Sequence, residues 1–175
     1  MSILVIFIYL LIITFISIGY GYIFVTIINL NQNISSYNIG ELGLIGFYGL
    51  LIISILIHFF LPLSFLITLI VSLIGMLLFL LYYKKFKIRL NIYQILFFFY
   101  VTIISFNTNS HPDFEWYHLP YMNYIKDFKI IFGIANINDF LGYTQTWNDI
   151  LSILRLPIFD FYTSNIVSSV FLLLF

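Results

Sequence analysis

Cysteine is absent from this chain, so disulfides, thiolate metal sites and cysteine nucleophiles are all excluded. Charge is scarce as well. Charged residues make up 8% of the sequence, against roughly 25% in a soluble domain. Before Lys84 the only one is Glu41. The 7 basic and 7 acidic residues cancel, which leaves no excess of positive charge for a nucleic-acid surface.

What remains is apolar: 62% of residues are hydrophobic, 21% are aromatic, and the mean hydropathy is +1.08. This composition belongs to an integral membrane protein. Lipid offers a backbone amide no partner, so each crossing must satisfy its own hydrogen bonds as a helix. The expected fold is therefore all-α, a polytopic transmembrane helical bundle. Hydropathy places four spanning helices at roughly Ser2–Leu30, Leu42–Leu61, Leu63–Tyr83 and Asn91–Phe106, with a fifth starting near Thr163. The first run lacks the basic flank and small-residue cleavage site of a signal peptide and reads as a retained helix. Pro62, in the short link between the second and third spans, marks a tight hairpin or a kink. The last run, Val167 to Phe175, is shorter than the about 20 residues that spanning takes. It is expected to be a truncated helix of a larger protein.

Three regions follow: residues 1–106 with four transmembrane helices, a loop at 107–162, and the further helix from 163. Lys84, Lys85, Lys87 and Arg89 hold 4 of the 7 basic residues. By the positive-inside rule that segment is cytoplasmic, which puts the 107–162 loop on the outer face of a plasma membrane. Pro112 fits the first turn of a helix running to about Lys129, softly broken at Pro120. A second helix is expected from about Tyr143 to Leu154, with Trp147, Ile150, Leu151 and Leu154 on one face. Both are amphipathic and suited to the membrane interface.

The loop also carries the chemistry. His111-Pro-Asp-Phe-Glu-Trp-Tyr-His-Leu-Pro120 gathers two carboxylates, two histidines and two large aromatics. Asp113 and Glu115 can divide roles, one as a base or metal ligand and the other orienting it or binding substrate. On a helix, residues two apart point about 200° apart, so only one of the two would face a given pocket, and Asp113 is the better choice. A plainer reading stays open: acids in a first helical turn favour the positive end of the dipole, and Trp116, Tyr117 and Tyr121 suit an aromatic belt. His111 and His118 are two turns apart, too far along one helix for the usual metal pair. His58, in an apolar hairpin, reads as hydrogen-bonded to a neighbouring carbonyl. Asn136, Asn138 and Asp139 lie between Gly133 and Gly142, a composition that loops use for turns, with Asp139 the member most suited to binding.

This pattern resembles the GT-C class of membrane glycosyltransferases. More narrowly, it is similar to a family of bacterial polytopic membrane proteins with D-x-x-x-Y-H-L-P, G-L-A-N and G-[FY]-x-x-x-W motifs. Here these read Asp113-Phe-Glu-Trp-Tyr-His-Leu-Pro120, Gly133-Ile-Ala-Asn136 and Gly142-Tyr-Thr-Gln-Thr-Trp147. The resemblance implies transfer of a sugar from a polyprenyl-phosphate donor to an envelope glycan or lipid acceptor, with inversion at the anomeric carbon. Asp113 would be the general base, or would help to hold a divalent cation, with Glu115 as its catalytic companion. His111, Tyr117, His118, Asn136, Asp139 and Trp147 would bind substrate. Two departures stand out: the acids are D-x-E where the class commonly has an adjacent pair, and Phe140 replaces a basic residue. A donor phosphate would then need Lys126, Lys129 or a residue from elsewhere. The competing readings are an envelope polysaccharide polymerase or ligase, and a non-catalytic transporter or scaffold subunit.

Overall fold

In the computed structural model, residues 2–28, 37–85, 92–107, 116, 118–136, 139, 146–156 and 163–174 are described. Among them the regular structure is all helical. Helices α1 (Ile3–Ile28), α2 (Ile39–Phe60) and α3 (Phe65–Tyr82) are each long and apolar enough to cross a bilayer. This is a membrane protein. Helix α4 (Ile92–Asn107) has 16 residues. At 1.5 Å per residue these described residues cover about 24 Å, most of a hydrocarbon core of about 30 Å. Two short helices, α5 (Leu119–Asp127) and α6 (Thr146–Ile153), fall within the expected outer loop, and α7 (Thr163–Leu174) follows.

The chain divides into two compact units. One holds residues 1–50, 72–108 and 164–175; the other holds 51–71 and 109–163. In the first unit, α1 packs on α4, on the beginning of α2 and on the end of α3. Small residues allow the close approach, as in helix packing within lipid generally. A Cβ at Gly46 would run into the Ser17 carbonyl oxygen, and one at Gly21 into that of Leu42. Aromatic pairs flank these contacts: Phe15 stacks on Phe79 at 4.4 Å and Tyr22 on Tyr82 at 4.1 Å. Where α4 meets α7, the Ser105 and Ser169 hydroxyls approach to 2.6 Å.

The close α1–α2 contact is backbone against backbone, so it has little room to give. Gly46→Ala is expected to lower stability by about 1–3 kcal/mol, the usual cost of overpacking. The readout is the melting temperature in detergent, and an unchanged melt would count against this contact.

Several polar groups on the helices are satisfied locally. Thr14, Thr26 and Thr102 each donate a hydroxyl hydrogen to the carbonyl one turn back, those of Leu10, Tyr22 and Phe98. Glu41, the lone charged residue before Lys84, serves α2 as half of a capping box. Its backbone N–H donates to Asn38 Oδ1 at 2.8 Å, and its carboxylate accepts from the Asn38 N–H at 2.8 Å. The outward faces of α3 and α4 are large and apolar, as with Leu73, Leu77 and Leu81 on one and Ile92, Leu96 and Ile103 on the other. Such faces are suited to lipid and would be a liability in water.

Candidate functional site

The second unit brings the end of α2, the start of α3, α5 and α6 together, beginning with backbone chemistry. Helix α2 ends at Phe60 and α3 starts at Phe65, so Pro62 lies in a true break between them. The last carbonyls of any helix lack intrahelical partners. Here the His58 carbonyl accepts from the Ile130 N–H at 3.1 Å, and the Ile125 carbonyl, near the end of α5, accepts from the Leu63 N–H at 2.9 Å. Each helix end is thus completed by the other segment.

Side chains reinforce this seam. His58 Nδ1 donates to Asp149 Oδ1 at 2.7 Å, while Nε2 faces the Phe128 carbonyl oxygen at 3.3 Å. The pair is buried, with side-chain exposures of 2% and 6%. Both ring nitrogens are thus engaged by oxygens of the other segment. Helix polarity helps: His58 lies in the last turn of α2 and Asp149 in the first turn of α6, where positive and negative charge are respectively favoured. With both nitrogens engaged, His58 is a tie between segments and not a base open to substrate.

Helices α5 and α6 are amphipathic and turn their apolar sides inward. Tyr121, Met122 and Ile125 are buried on α5, as are Ile150 and Leu151 on α6. Pro120 occupies the first turn of α5, where its missing N–H costs nothing. His118 stands at the N-cap, with Nδ1 at 3.3 Å from Asn148 Oδ1 on α6. Beyond α5 the chain is extended at Phe128, and Phe59 of α2 meets Phe132 edge to face at 5.7 Å. Phe60, Trp116 and Phe132 are exposed, as an aromatic belt at the membrane surface requires.

Tyr121 senses Asp149. Burial first, then the Asp149 carboxylate and then Tyr124, push its phenol up from 10.0 to about 12. The folded state therefore holds this proton more tightly than the unfolded chain does. Its stabilising contribution is full below pH 10.0 and is lost as pH rises toward about 12. The melting temperature is expected to fall across that window, and Tyr121→Phe to flatten the decline. A slope that Tyr121→Phe leaves unchanged would assign the loss to other groups.

Beside this layer is a cavity of about 90 Å³. Leu63, Phe65 and Met122 form its apolar wall, Thr68 and Ser152 also line it, and Lys126 and Arg155 bring positive charge. Arg155, two residues past the end of α6, is 9% exposed and donates to Asn123 Oδ1 at 3.0 Å. The Thr68 hydroxyl donates to the Ser152 carbonyl at 3.2 Å, fixing α6 against α3.

A family described as a domain of unknown function, DUF8201, matches the chain over residues 3–175. The chain belongs to the DUF8201 family. No curated protein and no solved structure matches it. The geometry above is therefore what describes this DUF8201 member.

The sequence-derived site residues of this DUF8201 chain fare unevenly. Asp113, Glu115, His111 and Tyr117 lie outside the described residues. His118 and Trp147 sit at the start of α5 and on α6, Trp147 half-buried. Asn136 ends a 3-10 turn that follows Gly133, whose φ of 82° is a left-handed conformation natural to glycine. Asn136 and Asp139 are both exposed, which agrees with turn chemistry. Among the described residues, no three of His, Asp and Glu converge as a cation site. Sequence reading placed His58 against a carbonyl, which it is, but gave no role to Asp149. Nothing local signals a partner 91 positions away. The single cue was an acid in the first turn of a helix whose other face is apolar.

Proposed function

We propose that this DUF8201 chain acts in a membrane glycosyltransferase, moving a sugar from a polyprenyl-phosphate donor to an envelope glycan or lipid acceptor. Asp113 is the general base on the acceptor hydroxyl, or the ligand of a divalent cation, with Glu115 beside it in sequence. The proposed setting is the bacterial plasma membrane, with Lys84–Arg89 cytoplasmic and residues 107–162 outside.

The observation that carries this reading is the docking of α5 and α6. The segment directly after the acidic motif is held by two backbone hydrogen bonds and a buried ion pair. A loop that merely capped a helix or anchored an aromatic belt would have no need of a buried charge pair, which is costly to desolvate. Loops held on a rigid support are where binding and catalytic groups concentrate. His118, at the junction of motif and α5, also meets α6 through Asn148. The test is sugar transfer by the reconstituted protein from a labelled polyprenyl-phosphate donor, compared between the native chain and Asp113→Asn.

A further inference from the structure

We infer that the cavity between α3, α5 and α6 is a binding site for a phosphate group, carried by a lipid headgroup or free in solution. The inference does not rest on the sugar-transfer reading. Two observations support it. Lys126 and Arg155 both line the cavity and no acid does, so its lining carries two positive charges. Arg155 is buried, and its Nη2 is held by Asn123, which orients the guanidinium. Ser152, 2% exposed, lines the same space and fixes its wall through its carbonyl, which accepts from the Thr68 hydroxyl.

The chemistry favours phosphate. A planar guanidinium and a mobile ammonium together match a tetrahedral oxyanion with several acceptor oxygens. The volume of about 90 Å³ has room for the group and for water around it. Leu63, Phe65 and Met122 supply an apolar wall against which the carbon portion of a phospholipid could lie.

The experiment uses the full chain in neutral detergent and follows the melting temperature and the phosphorus NMR linewidth during three titrations. The probes are inorganic phosphate, short-chain phosphatidate and short-chain phosphatidylcholine. Saturable stabilisation by phosphatidate alone identifies a lipid-borne phosphate; stabilisation by inorganic phosphate as well identifies a site that needs only the anion. Either supports the site, provided that Lys126→Gln weakens binding about tenfold, the scale of one charge-assisted hydrogen bond. Lys126 is exposed, so this variant folds independently of the outcome. Arg155→Lys is expected to retain binding in part. No saturable binding of either anion, equal stabilisation by phosphatidylcholine, or anion binding that Lys126→Gln leaves intact would overturn the assignment.

Discussion

Asp149→Ala is expected to destabilise the protein by about 3–5 kcal/mol, because it strands the other half of a buried ion pair. His58 would keep its place at the end of α2 with one nitrogen facing the Phe128 carbonyl and the other facing a void. Since whole-protein stabilities are about 5–15 kcal/mol, a loss of this size would be seen as a large drop in melting temperature or as failure to purify folded protein. The reciprocal change, His58→Ala, should be comparably severe, since it leaves a carboxylate buried without its partner. The informative variant is the double one. His58→Leu with Asp149→Leu removes both charges and fills the space, and exchanging a buried pair for apolar side chains is often neutral or better. Recovery of most of the lost stability in the double variant would establish the coupling; losses that simply add would show that the two residues act separately.

Asp113→Asn is expected to reduce sugar transfer by about 10²–10⁴-fold, the range that a general base contributes. Amide for carboxylate preserves shape while removing both basicity and charge. Glu115→Gln separates the two acids. With positions two apart diverging by about 200° on a helix, Glu115 should matter less if that segment is helical. Comparable losses from both would instead mean that the two converge in a turn. The melting temperature distinguishes a catalytic from a capping role. Transfer lost at unchanged stability supports the base, whereas a loss of about 0.5–2 kcal/mol with transfer retained is what an N-terminal cap would give.

The bundle was legible because apolar runs have the length lipid demands, so α1, α2 and α3 stand within a few residues of where hydropathy puts them. The faces of α5 and α6 were legible in part: helical spacing groups Met122 with Ile125, and Ile150 with Leu151 and Leu154, all buried, while Leu119 and Trp147 on the same faces are half-buried and Phe128 is exposed. Asn38 and Glu41 could have been read as a reciprocal cap, since the three-residue offset is a local signal. The pairing of His58 with Asp149 could not. It joins two helix ends that only the folded chain brings together, and nothing at either position identifies the other. Lys126 and Arg155 likewise converge through the packing of α5 on α6 and not through spacing.

The seam that ties the hairpin to α5 is carried by main-chain atoms. The Leu63 and Ile130 amides donate and the Ile125 and His58 carbonyls accept, so no side chain makes either bond. A grammar written in backbone is indifferent to vocabulary. Relatives could exchange residues at 63, 125 and 130 within the limits of packing and still close the join, with proline at 63 or 130 the one substitution that would erase a donor. The surroundings of the cavity can therefore diversify, and with them the molecule that it admits, while the scaffold that presents them stays the same.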